Sequence, residues 1–326
     1  MKKKIGFVIS HKNNEARRAL LPADIKKNVQ NPDYLYFEEG YGISVGVSDE
    51  EYKKCGCHIV SREEALNCDI ITDVKLGDSD YIEKIRDNKI LVGWAHAVQG
   101  VDITTSVIKK NHTVIAWEEM FEGGRYIFYR NREIAGEAAI MHAFRFAGKM
   151  PYDCKVSILG NGQTAKGALR VLHGLGADVD QYGRKLESLF KQKMYEYDVL
   201  VNCILWDTSR KDRIIYKGDL KKMKPGTLII DVSCDKGLEI ETSKPTTIDD
   251  PVYEIDHIIH YVVDNTPAMF PQTVTKVLSE GLSKYVDYLI EGQNPEVLQK
   301  ATVIDNGHIL QKSILEFRNE RGLLCK

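Results

Sequence analysis

The sequence lacks the features that mark secreted, membrane-spanning or polyanion-binding proteins. No segment approaches 18 uncharged apolar residues, so no membrane span is expected. The apolar run after the basic N-terminal residues is too short for a secretory signal. An excess of one charge sign is also missing, since 45 Lys and Arg face 47 Asp and Glu for a formal net charge of −2. Without a basic field, nucleic acid is not an expected partner.

Cysteines are few and scattered. The seven form an odd set without the spacing of a disulfide framework, which predicts a reducing, cytoplasmic location. Cys55, Cys57 and His58 resemble half of a metal site, but no second cluster follows at ligand spacing. We interpret this pair as structural and expect no metal.

The chain is long enough for two domains. Its 326 residues are 43% hydrophobic and 28% charged, as in folded globular proteins. Short apolar runs alternate with amphipathic stretches, a pattern typical of parallel α/β sheets covered on both faces. The runs expected to form strands are residues 5–9, 34–37, 70–74, 90–94 and 113–117 in the first half and 155–159, 179–182, 198–204, 227–232 and 257–263 in the second. We therefore predict two doubly wound α/β domains with a cleft between them.

The predicted boundaries follow two helical segments. Residues 132–149 contain good helix formers and are expected to form one helix that bridges the domains. After Pro271 the apolar residues recur at helical spacing, which predicts a helical tail that returns to the first domain. The prediction is a substrate and catalytic domain at 1–132, completed by 272–326, and a nucleotide-binding Rossmann domain at 133–271.

A glycine-rich turn stands between a predicted strand and a helix. Gly160 allows the tight turn, Gly162 lets the backbone approach a pyrophosphate, and Ala165 permits close packing of the helix on the strand. The phosphates would bind at the helix N-terminus, where N–H groups and the helix dipole favour an anion. The short motif could also be an ordinary turn, but the strand before it and the helix and strand after it favour a dinucleotide site.

The end of the next predicted strand indicates which dinucleotide binds. NAD sites normally place Asp or Glu there to bind the ribose hydroxyls, whereas this chain has Gly183, Arg184 and Lys185. Cations pair with a 2′-phosphate that an acid would repel. The cofactor predicted is NADPH, and the alternative is a solvated basic loop.

Several motifs, in order along almost the whole chain, resemble those of the alanine dehydrogenase superfamily. They are residues 14–22, Val74-Lys75, the His96 that ends LVGWAH, residues 231–237, residues 241–251, His260-Tyr261 and Asn265-Thr266-Pro267. The resemblance implies an oxidoreductase that acts on a 2-oxo acid and an amine. The superfamily also includes a transhydrogenase subunit, so the site must support the function separately from the fold.

Within that superfamily the chain most resembles the N5-(carboxyethyl)ornithine synthases. These are NADPH-dependent opine-type enzymes that join pyruvate to the side-chain amine of ornithine or lysine. Three departures from alanine dehydrogenase favour this branch: the missing acid at residue 183, the shorter chain, and an Arg-rich segment from Arg125 to Arg130. That segment rather resembles the corresponding stretch of lysine-forming saccharopine dehydrogenase.

The resemblance and the residue chemistry together suggest a site. Arg17 would hold a substrate carboxylate through its bidentate fork, although on sequence alone it could be a surface side chain. Lys75 would polarise a carbonyl or shuttle a proton, the alternative being a strand-end lysine that reaches water. His96 would be the catalytic acid, although a single histidine is more often structural.

Three further residues complete the predicted site. Asp235 follows a predicted strand and would orient the nicotinamide ribose or the amine, or simply cap a helix. Asn265 would contact the nicotinamide at a hinge, and Arg130 would be a second carboxylate anchor. Glu133 is expected to be structural.

Two alternatives stay open. The enzymatic one is alanine dehydrogenase, in which ammonia is the amine. The other is a non-catalytic NADP-binding sensor or subunit. It would need Gly160, Gly162 and Arg184, but it would not need the four residues Arg17, Lys75, His96 and Asp235 together. A homo-oligomer is expected in each case, since most soluble oligomers are symmetric homomers.

Overall fold

A computed structural model describes residues 1–207, 210–234 and 236–326. The chain divides into two compact units, Met1–Phe128 with Pro271–Lys326, and Tyr129–Phe270. The functions predicted for the two domains stay predictions. Within the described residues, no helix is both long and apolar enough to cross a membrane.

Strands and helices alternate along most of the chain. The strands are β1 Ile5–Phe7, β2 Leu35–Glu38, β3 His58–Val60, β4 Ile70–Thr72, β5 Ile90–Gly93, β6 Thr113–Ala116, β7 Phe121–Glu122, β8 Arg125–Tyr126, β9 Lys155–Leu159, β10 Asp178–Tyr182, β11 Val199–Asn202, β12 Leu228–Asp231, β13 Val252–Ile255, β14 Ile258–Tyr261, β15 Thr302–Asp305 and β16 His308–Ile309. The α-helices are α1 Pro22–Asn28, α2 Asp49–Lys53, α3 Arg62–Asn67, α4 Val101–Lys109, α5 Tyr129–Ala143, α6 Gln163–Gly174, α7 Glu187–Lys193, α8 Lys217–Leu220, α9 Pro271–Leu282, α10 Val286–Glu291, α11 Glu296–Ala301 and α12 Lys312–Glu320.

The first unit contains an eight-stranded sheet in the order β16-β15-β6-β5-β4-β1-β2-β3. Strands β1 to β6 pair in parallel, and the central strands β1 and β4 are buried at every residue, as expected for a sheet covered on both faces. The sequence prediction of five strands before residue 120 is incomplete, because it missed β3. The short β3 is half-exposed at the sheet edge, where the apolar signal is weak.

The C-terminal segment is more than the helical tail that we predicted. After α9, α10 and α11 the chain forms β15, which pairs antiparallel with β6, and β16, which pairs antiparallel with β15. The helical prediction for the tail is therefore wrong at 302–305 and 308–309. Val303 and Ile304 are buried, so these strands extend the core of the first unit.

The second unit contains a six-stranded sheet in the order β10-β9-β11-β12-β14-β13. Its first five strands pair in parallel, and β13 pairs antiparallel with β14. The prediction of a single strand over residues 257–263 therefore missed the preceding β13, whose residues are only half-buried. The architecture is that of a Rossmann-type sheet with one antiparallel edge strand.

Helix α5 packs closely on α6 through two glycines. A Cβ at Gly136 would lie 2.0 Å from the Thr164 carbonyl oxygen, and one at Gly167 would lie 1.8 Å from the Glu133 carbonyl oxygen. Backbone therefore meets backbone at this crossing, and no side chain fits. Helix α5 ends earlier than the sequence predicted, at Ala143 rather than residue 149, and a 3₁₀ turn at Phe144–Phe146 follows.

Candidate active site

Lys75 lies just beyond the carboxyl end of β4. Its backbone N–H donates to Asp73 Oδ1 at 2.9 Å, and the Tyr81 hydroxyl donates to Asp73 Oδ2 at 3.1 Å. Asp73 is fully buried, and this burial raises the pKa of its carboxyl to about 6. The Asp73 carboxylate therefore fixes the turn that carries Lys75, which is itself only 7% exposed.

His96 lies just beyond the carboxyl end of the neighbouring strand β5. Its backbone has φ +45°, which is uncommon for a residue other than glycine. The backbone N–H of His96 donates to Glu118 Oε1 at 2.7 Å, and that of Ala95 donates to Glu118 Oε2 at 3.2 Å. Burial raises the pKa of Glu118. A carboxylate thus holds the turn in its left-handed conformation and leaves the imidazole exposed.

The two turns pack directly on each other. The backbone N–H of Gly77 donates to the Trp94 carbonyl oxygen at 2.9 Å. A Cβ at Gly77 would lie 2.3 Å from the Ala95 carbonyl oxygen, and one at Gly93 would lie 1.8 Å from the Asp73 carbonyl oxygen. Glycine is therefore required on both turns, and this close packing places the chain around Lys75 beside the chain around His96.

Arg17 is buried in the same unit. Its Nε donates to Glu15 Oε1 at 2.8 Å and its Nη2 donates to Glu15 Oε2 at 2.5 Å, while the guanidinium lies 4.9 Å from the centre of the Trp94 ring. At 1% exposure Arg17 is not the surface side chain of our alternative interpretation. Because Trp94 leads directly into the His96 turn, Arg17 lies next to the segment that carries the predicted acid.

The second unit carries the predicted nucleotide loop. Gly160 follows β9 and has φ +114°, and a Cβ on this residue would lie 2.9 Å from the Cys203 carbonyl oxygen. Gly162 is the N-cap of α6, and a Cβ there would meet nothing within 4 Å. Ala165 is fully buried on the inner face of α6. The open side of Gly162 and the N-terminus of a twelve-residue helix suit a pyrophosphate.

Two cations follow strand β10. Gly183 comes directly after the strand, and the Arg184 and Lys185 side chains are both exposed. Among the described residues, neither of these side chains makes a hydrogen bond or an ion pair. No carboxylate stands at residues 183–185. The strand end therefore presents positive charge to any ligand on the glycine loop.

A buried polar network lies at the carboxyl ends of β11 and β12. Asn202 Nδ2 donates to Asp231 Oδ1 at 2.9 Å and to Glu239 Oε1 at 2.7 Å, and the Ser243 hydroxyl donates to Asp231 Oδ2. Asp231 also accepts the backbone N–H of Ser233 at 3.2 Å. This network shapes the start of the loop after β12. The predicted catalytic residue Asp235 lies outside the described residues.

Asn265 lies near the C-terminal end of the second unit. It has φ +65° and precedes a 3₁₀ helix at Thr266–Met269. The Thr266 hydroxyl donates to the Ala135 carbonyl oxygen of α5 at 3.0 Å, which anchors this turn on the helix that also packs against α6. The role of Asn265 toward a nicotinamide stays a prediction.

Arg130 takes part in an ion-pair network on α5. Its Nη1 pairs with Glu133 and lies 3.5 Å from Glu137 Oε1, and Arg170 of α6 pairs with both carboxylates. Glu133 is buried in this network, and the two arginines hold its pKa low despite its burial. Arg130 therefore already has acidic partners, and a substrate carboxylate would have to share it with Glu133 and Glu137.

The structure adds three residues that sequence reasoning missed: Glu15, Asp73 and Glu118. Two of them stand two residues before a predicted site residue, Glu15 before Arg17 and Asp73 before Lys75, so that spacing was a usable signal. Glu118 lies 22 residues after His96, and only the packing of β5 beside β6 brings them together.

A glycine loop between the carboxyl end of β9 and the N-terminus of α6 defines a dinucleotide-binding fold. Two family models match the chain: "Alanine dehydrogenase/PNT, N-terminal domain" over residues 9–126, and "Alanine dehydrogenase/PNT, C-terminal domain" over residues 181–316. The chain belongs to the alanine dehydrogenase/PNT family. It is an NAD(P)-dependent oxidoreductase, as its relatives' names also indicate.

Relatives of two kinds are similar to the chain. An N(5)-(carboxyethyl)ornithine synthase of Clostridium botulinum is 33% identical over 87% of this chain and 93% of its own. One of Lactococcus lactis subsp. lactis is 34% identical over 87% of this chain and 94% of its own. Alanine dehydrogenase 1 of Staphylococcus aureus is 27% identical over 88% of this chain and 87% of its own. The resemblance that we inferred from the motifs is confirmed.

Solved structures agree on the fold. An L-alanine dehydrogenase superposes with a TM-score of 0.83 at 21% identity and covers 97% of this chain and 99% of its own. A transhydrogenase from Sinorhizobium meliloti superposes with a TM-score of 0.76 at 17% identity and covers 94% of this chain and 99% of its own. The predicted fold class of two parallel α/β domains, one of the Rossmann type, is confirmed.

Proposed function

We propose that the protein catalyses the NADPH-dependent reductive condensation of pyruvate with the side-chain amine of ornithine, or of lysine, to give N5-(1-carboxyethyl)ornithine or its lysine analogue. The observation that carries the proposal is the match of almost the whole chain to relatives named N(5)-(carboxyethyl)ornithine synthase at 33–34% identity. The Staphylococcus aureus alanine dehydrogenase is less similar, at 27%.

The cofactor follows from the charge at the end of β10. Gly183 occupies the position where an acid would bind ribose hydroxyls, and the exposed Arg184 and Lys185 side chains follow it. Arginine pairs with phosphate through two parallel hydrogen bonds, which a neutral ribose hydroxyl cannot match. We therefore propose NADPH rather than NADH as the cosubstrate.

The first unit supplies the groups that act on the 2-oxo acid. Arg17 is oriented by Glu15 and would bind the pyruvate carboxylate. Lys75, held on its turn by Asp73, would polarise the carbonyl. His96 would give the carbonyl oxygen a proton as the amine adds, and water then leaves to form the imine. NADPH would supply the hydride that reduces it.

The second unit would bind the nucleotide. Gly160 and Gly162 would let the backbone approach the pyrophosphate, and the N-terminus of α6 would stabilise its charge. Asn265, and Asp235 outside the described residues, would contact the nicotinamide side. Arg130 would hold the second carboxylate of the product while it stays paired with Glu133.

A cytoplasmic homo-oligomer is part of the same proposal. None of the seven cysteines, all of which fall in the described part of the chain, forms a disulfide, which suits a reducing compartment.

A substrate panel tests the function. NADPH oxidation is followed with pyruvate and either ornithine, lysine or ammonium at matched concentrations. The proposal expects kcat/KM to be highest with a diamino acid. A higher value with ammonium would instead identify an alanine dehydrogenase, and no turnover with any amine would favour the non-catalytic sensor.

A further inference from the structure

Gly183 lies against the side-chain amide of Asn161. A Cβ at Gly183 would lie 2.4 Å from Asn161 Nδ2 and 3.3 Å from its Cγ. The φ of Gly183 is −84°, which any residue adopts, so backbone strain does not demand glycine here. The Asn161 amide lies in the space where a side chain from the end of β10 would begin, so a larger residue 183 would require this exposed amide to turn away.

The contact joins two elements of the predicted nucleotide site. Asn161 stands between Gly160 and Gly162 in the glycine turn, whereas Gly183 follows the last residue of β10. A second contact holds the two together, because Gln181 Nε2 donates to the Gly160 carbonyl oxygen at 2.9 Å. The glycine turn that carries Asn161 is therefore held beside the strand end that bears Arg184.

The Asn161 side chain is exposed, and within the described ranges no hydrogen-bond partner satisfies its amide. An amide N–H₂ donates two hydrogen bonds and carries no charge. At the place where a carboxylate would accept hydrogen bonds from ribose hydroxyls and repel a phosphate, this chain has an uncharged amide whose Nδ2 lies nearest Gly183 and can donate. A donor suits a phosphate, which has only acceptor oxygens at neutral pH once it is ionised.

We propose that Asn161 determines the cofactor specificity of this enzyme by donating a hydrogen bond from its side-chain amide to the 2′-phosphate of the adenosine ribose. This inference rests on the proposed use of NADPH. Arg184 and Lys185 supply charge from the strand end, and Asn161 supplies a directed neutral donor from the glycine turn. The group that replaces the missing acid thus comes from the neighbouring loop rather than from β10.

The test uses two variants of the full-length protein and a matched control. Asn161→Ala removes the donor, and Asn161→Asp places a carboxylate in the same space. Gln192→Glu on α7 adds the same negative charge at an exposed residue outside the proposed site. Binding of 2′,5′-ADP, 5′-AMP, NADPH and NADH is measured by titration calorimetry, which needs no catalytic turnover.

The expected effects are confined to ligands with a 2′-phosphate. Asn161→Ala weakens 2′,5′-ADP binding about tenfold, because one hydrogen bond to a charged group is lost, and leaves 5′-AMP unchanged. Asn161→Asp weakens 2′,5′-ADP and NADPH further by charge repulsion and tightens NADH binding. Gln192→Glu behaves as the wild type. Thermal unfolding of each variant checks that these exposed substitutions leave the fold intact.

The outcomes separate this inference from the cofactor proposal. If the wild type binds 2′,5′-ADP no more tightly than 5′-AMP, the NADPH proposal is wrong and the inference falls with it. If the wild type strongly prefers 2′,5′-ADP and both Asn161 variants keep that preference, the cofactor proposal stands and the role of Asn161 is overturned. An equal loss for 5′-AMP would also overturn it, since that pattern means a general disturbance of the loop.

Discussion

Glu118 Oε1 accepts the backbone N–H of His96 at 2.7 Å, and this hydrogen bond supports a residue in the left-handed region at φ +45°. The other oxygen of the carboxylate accepts the N–H of Ala95. Two donors on one buried carboxylate fix the direction in which the His96 imidazole leaves the backbone. The neighbouring turn is built in the same way, with Asp73 holding the N–H of Lys75. Lys75 and His96, the predicted proton-transfer residues, thus each lie on a turn that a buried carboxylate stabilises.

We expect His96→Gln to lower kcat by about 10² to 10⁴, because a general acid contributes on that scale. NADPH affinity should stay nearly unchanged, since the glycine loop belongs to the other unit. Stopped-flow turnover and a direct binding titration measure the two quantities. A His96→Gln variant with nearly full activity would show that the histidine is structural.

Glu118→Gln tests the support of the same turn. The amide oxygen accepts one backbone N–H, but the amide N–H₂ then faces the second donor, so one hydrogen bond is lost. We expect a loss of about 1–3 kcal/mol in the free energy of unfolding together with a reduced kcat. Glu119→Gln on the adjacent residue serves as the control. Unchanged activity and stability for Glu118→Gln would contradict the interpretation that Glu118 stabilises the His96 turn.

Asp73 gives the first unit a pH-dependent stability. Its carboxyl ionises near pH 3.8 when unfolded and near pH 6 when buried, so between these values the folded protein binds more protons than the unfolded one. The Asp73 contribution to stability is therefore greatest below the unfolded pKa and falls as the pH rises through 6. The difference amounts to about 3 kcal/mol, at about 1.4 kcal/mol for each pKa unit.

Asp73→Asn removes this titration without changing the shape of the side chain. Relative to the wild type, the variant should gain up to about 3 kcal/mol between about pH 4 and about pH 7. Denaturant unfolding followed by the fluorescence of Trp94 and Trp117 reports on the first unit, in a Trp206→Phe background because Trp206 lies in the second. A stability difference that stays constant with pH would exclude the raised pKa of Asp73.

The close approach of Gly183 and Asn161 affects how far the cofactor preference can be reversed. The double substitution Gly183→Asp with Arg184→Ile brings in an acid and removes a cation, but the new Cβ would push against the Asn161 amide, which would have to move. We expect Asn161→Gly added to this pair to shift the ratio of kcat/KM for NADH over NADPH further than the pair alone. Wild-type preference for NADPH should also weaken at high salt, because exposed charge pairs are screened. Equal wild-type values for both nucleotides would contradict the proposed cofactor.

Regular spacing made much of the fold predictable. The runs that became β1, β4 and β5 are continuous and apolar because both faces of their sheet are covered, and the glycine turn is followed by its helix as expected. The edge strands β3, β13 and β16 escaped prediction because half-exposed strands have a weak apolar signal. Strand order also escaped it, since β15 joins β6 from a distant part of the chain.

The same physical distinction applies to the site residues: those that belong to a local sequence pattern could be predicted, and those that act through tertiary contacts could not. Gly160 and Gly162 are visible in sequence because a turn near a phosphate needs glycine at fixed spacing. The role of Glu118 could not be predicted, because a carboxylate that stabilises a turn distant in sequence leaves no local sequence pattern. The contact of Asn161 with Gly183 is likewise hidden, since neither residue alone suggests that they meet.

The substrate prediction concerns the number of carboxylates that the enzyme holds. Pyruvate condensed with ornithine or lysine carries two, one at each end of a long chain, whereas an alanine dehydrogenase substrate carries one. Arg17 would bind the first and Arg130 the second. Arg130 shares Glu133 and Glu137 with Arg170, so its substitution also leaves those acids with one arginine fewer.

Arg130→Ala should therefore lower kcat/KM for ornithine and lysine at least about tenfold, because a charge-assisted pair is lost, and should leave NADPH binding nearly unchanged. Arg170→Ala is the matched control, because it removes the other arginine from the same two carboxylates. If Arg130 binds substrate directly, Arg170→Ala should lower kcat/KM less than Arg130→Ala does.

Alkylamines without an α-amino acid head should be poor substrates for the wild type and insensitive to Arg130→Ala. Ornithine and lysine differ by one methylene, which apolar contacts discriminate by only about 10 to 200-fold, so both should react. The two variants could instead lose kcat/KM equally, with alkylamines affected as strongly as ornithine. That result would show that the ion-pair network is structural and that Arg130 does not bind the second substrate carboxylate.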